Sequence, residues 1–176
     1  MIKDPLTPAQ FKEGLSLLTP KYQAYAVLMY YTGMRVSEAL RLRKESFDLS
    51  KVSLYVEVGV RLKTQRKRKD GTVSPGRRTQ PLPLSLTLYG IDILTRRVRY
   101  IRKGDLVFPF NRTTARRQMA NAGLGYNHLF RLSAITAFLK AGRSVADIVN
   151  WFGVTVQTVN SYIGLTDLAE MGALKR

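Results

Sequence analysis

Between residues 52 and 60 the apolar pattern changes period. Val52, Leu54, Val56, Val58 and Val60 alternate with other side chains, as a strand with one buried face does. The apolar stretches on either side repeat at helical spacing instead. A single strand leaves its backbone donors and acceptors unpaired, so it needs a partner. Gln80-Pro81-Leu82-Pro83-Leu84 supplies one. Its prolines cannot donate to a ladder, which makes it an edge strand. One such hairpin among helices predicts an α+β fold, mostly α, with a small antiparallel sheet near the N-terminal third.

The helices are legible from caps and stops. Thr7-Pro8-Ala9-Gln10 offers a capping threonine, a proline at the first helical position and a glutamine that can cap reciprocally. Phe11, Leu15 and Leu18 follow as one apolar stripe. Thr19-Pro20 repeats the device ahead of a helix over 22–31, which Gly33 interrupts. Further helices are predicted over 36–42, 85–102, 112–122, 127–141, 145–152 and 155–163. A basic loop, residues 61–79, joins the two strands, with Asp70-Gly71 as a turn signal. No repeat or linker divides the 176 residues, so one domain is predicted.

Charge narrows the partner. The chain has 29 Lys and Arg against 12 Asp and Glu, a formal net charge of +17, with 45% hydrophobic residues. That combination describes a folded domain with a polyanion-binding surface rather than a disordered basic tail. Zero cysteines exclude disulfides, thiol catalysis and thiolate zinc sites, and one histidine leaves no histidine-rich metal cluster. No metal or other cofactor is expected. No apolar run approaches the ~20 residues of a membrane span, and no signal-peptide pattern opens the chain. The expectation is a soluble intracellular protein that binds nucleic acid, with no membrane partner.

Four segments carry candidate chemistry. In Thr32-Gly33-Met34-Arg35-Val36-Ser37-Glu38, a glycine ends one helix, and an arginine opens the next with a carboxylate three residues on. A guanidinium so held suits phosphate oxygens, although a plain surface ion pair has the same signature. The loop carries Arg61, Lys63, Arg66, Lys67, Arg68, Lys69, Arg77 and Arg78 against a single acid, Asp70. Such a run repels itself until phosphates neutralise it. His128 and Arg131 share a helix face, and His128 is the only histidine. Residues 147–162 read on their own as a helix-turn-helix centred on Gly153, with 155–163 as recognition helix and Tyr162 as a surface aromatic.

Taken in order, the four segments resemble the catalytic domain of a tyrosine recombinase of the phage-integrase type. Thr-Gly-Met-Arg35-Val-Ser-Glu is similar to that family's first-arginine box. The Lys63 hairpin ending in Pro-Leu-Pro-Leu resembles its lysine hairpin, His128-Leu-Phe-Arg131 matches its His-x-x-Arg box, and Tyr162 stands where its nucleophile stands. The resemblance covers about residues 6–164, leaving 165–176 as a C-terminal tail. The sparse carboxylates suggest an archaeal viral or plasmid integrase. Two positions depart from the pattern. Gly153 occupies the place of a usual His or Trp, a role that Trp151 fills or that stays empty. The family's N-terminal DNA-clamping domain has no counterpart before Leu6, so a fragment is expected.

The resemblance implies a mechanism. Tyr162 attacks the scissile phosphate and forms a 3′-phosphotyrosyl intermediate, without metal or ATP. Arg35 and Arg131 clamp the non-bridging oxygens, Lys63 is the general acid with Lys67 and Lys69 as alternatives, and His128 assists proton transfer or holds the phosphate. Glu38 positions the basic groups. Arg61, Arg66, Lys67, Arg68, Lys69, Arg77 and Arg78 contact the DNA backbone. Double-stranded DNA as partner, a cytoplasmic, nucleoid-associated location and self-association on DNA, a tetrameric synapse in the full-length protein, are implied as well. The rival reading is a non-catalytic helix-turn-helix regulator.

Overall fold

Thr7 opens the first helix through the reciprocal cap its sequence predicts. The Thr7 hydroxyl accepts from the Gln10 amide at 3.2 Å, and the Gln10 carboxamide oxygen accepts from the Thr7 N–H at 2.9 Å. The computed structural model describes residues 4–49, 53–61 and 77–163, with the backbone alone for 53–61 and 77–83. Helix α1 (Pro8–Ser16) buries Phe11, Gly14 and Leu15. The Phe11 ring stacks on Tyr30 of α2 (Pro20–Thr32) at 3.9 Å. Ala24, Tyr25, Ala26, Val27, Leu28 and Met29 are all fully buried. A helix that is apolar on every side belongs inside a fold, and α2 packs against α1, α4, α5 and α6.

The next helix, α3 (Val36–Ala39), is shorter than the expected 36–42. The chain leaves it because the Leu42 carbonyl accepts from Val107 N–H at 2.9 Å and Arg43 bridges to Leu106. The sheet has three strands, not two. β1 (Phe47–Leu49), β2 (Ser53–Arg61) and β3 (Arg77–Ser85) run antiparallel in that order. Pro81 and Pro83 lie opposite Glu57 and Tyr55 on the edge strand, where a missing N–H leaves no gap in a second ladder. Arg61, Arg77, Arg78 and Thr79 are strand residues and not loop, with Arg61 opposite Arg77 and Val60 opposite Arg78.

Helix α4 (Ile91–Tyr100) starts later than expected, since Ser85 closes β3 and residues 86–90 form turns. Asn111 caps α5 (Arg112–Asn121) by accepting from Thr114 N–H at 2.8 Å. α6 (Asn127–Lys140) and α7 (Val145–Phe152) match the sequence expectation closely, and a last helix, α8, covers 156–163. Most of the core surrounds α2, while Leu132, Ile135, Ile148, Phe152, Val159 and Tyr162 join α6, α7 and α8 in a second cluster. The architecture is the expected mostly helical α+β class. Among the described residues no helix is long and apolar enough to cross a membrane.

Gly33 sits where α2, α6 and α7 converge. It ends α2 with a left-handed backbone (φ +57°), and a Cβ there would lie 2.7 Å from both Ala134 Cβ and Phe152 Cε1. Gly104 is also left-handed (φ +88°), but a Cβ would meet nothing within 4 Å. Gly104→Ala is expected to cost about 1–2 kcal/mol of backbone strain. Gly33→Ala adds about 1–3 kcal/mol of overpacking to a similar strain. Urea unfolding of both variants checks the difference, and equal losses would contradict this packing.

Candidate active site

Two helix C-termini build the centre of the site. α2 ends at Gly33, and α7 ends the same way at Gly153 (φ 58°). The last carbonyls of a helix lack intrahelical partners and carry the negative end of its dipole, so they attract cations. Arg131 of α6 answers both ends. Its Nη1 donates to Gly33 O at 2.9 Å, and its Nη2 donates to Phe152 O. The guanidinium lies 5.8 Å from the Phe152 ring, and the residue is only 7% exposed. Burial, reinforced by Arg35, lowers the Arg131 pKa to about 10, with Glu38 opposing. The group therefore remains a cation at neutral pH.

Arg35 completes the pair. Its Nη2 donates to Gly153 O at 2.8 Å, and its Nη1 donates to Glu38 Oε1 at 3.0 Å. The other Glu38 oxygen accepts from the Arg35 backbone N–H at 2.7 Å, so one carboxylate fixes both the side chain and the start of α3. Gly153 thus serves through its carbonyl and its backbone turn. Trp151 points elsewhere: its ring packs 5.3 Å from Phe138, its Nε1 is buried with no hydrogen-bond partner among the described residues, and it does not line the cleft.

His128 lies one turn before Arg131 on α6, and Tyr162 reaches it from α8. The Tyr162 hydroxyl is 3.3 Å from His128 Nε2. Tyr162 is 8% exposed, seated in the second core cluster rather than on the surface. Burial raises its pKa above the usual phenol value, and Arg131 partly offsets this. At neutral pH the hydroxyl keeps its proton, so a nucleophilic role requires a base, and His128 Nε2 is in reach.

Beside this group opens a cleft of about 560 Å³ between the α2–α3 junction, the start of α5 and the start of α6. Arg35, Arg112, Arg116, His128 and Arg131 line it, and none of the described residues lining it is acidic. The Arg116 guanidinium rests 4.5 Å over the Tyr126 ring. The guanidinium and imidazole groups on its walls give the cleft the chemistry of an anion site.

The fold therefore gathers Arg35, Glu38, His128, Arg131, Gly153 and Tyr162. Lys63, Arg66, Lys67, Arg68 and Lys69 lie outside the described residues, and only backbone positions are described for Arg61, Arg77 and Arg78. Arg112, Arg116 and Asn127 were not singled out by sequence. The available signal was the i, i+4 spacing of Arg112 and Arg116, which places them on one face of α5.

A profile described as the phage integrase family matches residues 9–168. The chain belongs to the phage integrase family. Among solved structures, the integrase-family chain is similar to the XerH site-specific recombinase in a pre-cleavage complex with its difH substrate (TM-score 0.66, 19% identity, 96% of this chain and 53% of that one). It is also similar to the XerA recombinase (TM-score 0.67, 19% identity, 99% and 64%). A third likeness is to the Tn1549 transposon integrase with circular-intermediate DNA (TM-score 0.64, 16% identity, 99% and 68%). These likenesses place the fold. The chain spans about half the length of the XerH recombinase. No curated protein matches it.

The integrase-family site also predicts an alkaline limit. Burial raises the phenol pKa of Tyr25, Tyr30, Tyr31 and Tyr162, most strongly for Tyr25. A raised phenol pKa means that the folded chain holds the proton more tightly than the unfolded one. That stability is complete below about pH 10 and is lost as pH rises further. Arg131 acts in the opposite sense, because its lowered pKa relieves a buried charge above about pH 10. Four phenols outweigh one guanidinium, so the urea midpoint is expected to fall from about pH 9.5 to 11. Tyr25→Phe should flatten that fall; an unchanged slope would contradict the assignment.

Proposed function

We propose that the chain is the catalytic domain of a site-specific DNA recombinase or integrase, cutting and rejoining duplex DNA through a 3′-phosphotyrosyl intermediate. The observation that carries this reading is the meeting of the Tyr162 hydroxyl with His128 Nε2, beside a cleft lined by Arg35 and Arg131. A nucleophile, a base and two oriented cations then come from one chain. Family membership supports the same reading.

In the proposed reaction, Tyr162 Oη attacks the scissile phosphorus while its proton passes to His128 Nε2. A bond forms between the tyrosine oxygen and phosphorus, and the bond to the 5′ oxygen breaks. Lys63 gives that leaving oxygen its proton, with Lys67 and Lys69 as the other candidates. Arg35 and Arg131 donate to the non-bridging oxygens, where negative charge builds in the transition state. Glu38 holds Arg35 at that task. The phosphotyrosyl ester conserves the energy of the broken bond, so attack by a 5′ hydroxyl reverses the step, and this scheme calls for neither ATP nor a metal ion. Arg112 and Arg116 extend the phosphate-binding face, joined by Arg61, Arg66, Lys67, Arg68, Lys69, Arg77 and Arg78. Exchanging strands between two duplexes requires four such domains on DNA.

The rival helix-turn-helix regulator needs Tyr162 as a surface aromatic. Its burial and its hydroxyl on His128 favour the recombinase. Incubation with nicked duplex DNA followed by denaturing electrophoresis tests the choice. The wild-type chain is expected to stay covalently attached, while Tyr162→Phe gives no adduct and keeps nearly full DNA affinity. Arg35→Ala and Arg131→Ala should each slow adduct formation by about 10²–10³. A substrate with a 5′-bridging phosphorothiolate should rescue Lys63→Ala, because a thiolate leaves without a proton. An adduct on Tyr162→Phe would overturn the reading.

A further inference from the structure

Asn127 has no part in the chemistry above, yet it stands in the cleft wall immediately before His128. It is the first residue of α6 and is 8% exposed. Its Oδ1 accepts a hydrogen bond from the Tyr25 hydroxyl at 3.1 Å. Tyr25 is fully buried on α2, and its ring meets Phe108 and Phe110 edge-on at 5.4 Å each. Three packed rings therefore fix one end of the Asn127 carboxamide. A carboxamide has an acceptor end and a donor end. With Oδ1 committed to Tyr25, Nδ2 is the end left for the cleft. A cleft lined by four arginines selects an anion, and an anion needs donors.

We propose that Asn127 is a phosphate-binding residue, donating from Nδ2 to a non-bridging oxygen of the DNA backbone, and that Tyr25 is the positioning residue that fixes its carboxamide with the donor outward. The proposal deepens the recombinase reading and rests on DNA occupying the cleft. A neutral donor beside three or more cations adds direction rather than charge. It aligns one phosphate relative to His128, which follows it in sequence, without adding to the repulsion among the guanidiniums. If the carboxamide turned over, Oδ1 would face the phosphate and repel it, so an anion in the cleft and the Tyr25 donor act together to favour the orientation observed.

Duplex affinity measured with a single neutral methylphosphonate walked along the backbone tests this, and binding needs no cleavage. For the wild-type chain, one position near the scissile phosphate is expected to lose about tenfold in affinity, as loss of a hydrogen bond to a charged group does. Asn127→Leu should lose about tenfold on unmodified DNA and become insensitive to neutralisation at that position alone. Asn127→Asp keeps an acceptor for Tyr25, so its fold is retained, and it should bind still more weakly because a carboxylate faces the phosphate. Tyr25→Phe should show a reduced loss at the same position and the wild-type profile elsewhere. The one-dimensional NMR signal of His128, the only histidine, reports whether each variant keeps the site. Asn127 variants that bind like wild type, or that weaken equally at every phosphate, overturn the Asn127 assignment. A Tyr25→Phe profile identical to wild type overturns the positioning role. A wild-type chain that binds no duplex overturns the recombinase reading and this proposal together.

Discussion

A buried guanidinium with no carboxylate partner among the described residues organises the molecule around itself. Among the described residues the ion pairs are Arg35–Glu38 and Arg96–Asp92, and Arg131 is in neither. Removing a cation from water costs several kcal/mol unless dipoles replace the solvent. Here the replacement is two helix ends, α2 through Gly33 and α7 through Phe152. Arg131 therefore ties α6 to both at one point, where the helices pack so closely that a Cβ on Gly33 would come within 2.7 Å of Ala134 and Phe152. The second arginine hangs from the same turn through Gly153 O, so both cations share one backbone feature.

This arrangement suits a site whose ligand is an anion. Two cations that approach each other depress one another's charge, and the lowered Arg131 pKa carries that contribution from Arg35. A bound phosphate would reverse it, since opposite charge favours the charged form. An anion in the cleft would relieve the repulsion between the two guanidiniums. The same field bears on Tyr162, whose phenol burial raises and Arg131 lowers. Arg131 thus eases loss of that proton, while burial, the larger effect, holds it on.

Much of this could be seen in the sequence where a local rule acts alone. The Thr7–Gln10 cap, the glycine stop after α2, the strand β2 and the bounds of α7 are each set by short-range chemistry, and all are observed. The misses share a cause, which is tertiary override. β1 has three residues, too few to show a period. α3 ends early because Leu42 is drawn into pairing with Val107. Arg35, His128, Arg131 and Tyr162 were legible as motifs, but the groups that hold the two arginines include backbone carbonyls, which leave no residue-type signature beyond the glycine that follows or bears them. Trp151 looked like a substitute side chain from its place in sequence, and its packing on Phe138 is set by the helix face it occupies.

One chain is expected to supply the whole site, with its own Tyr162 against its own His128. Complementation between two inactive variants tests it most directly. Arg35→Ala and Tyr162→Phe chains, mixed in equal amounts on a nicked duplex, are examined for covalent protein–DNA adduct. If arginine and tyrosine must come from the same chain, the mixture forms no more adduct than Arg35→Ala alone. Recovery of adduct toward the wild-type level would show that the tyrosine is delivered to a neighbouring chain, and would contradict the account.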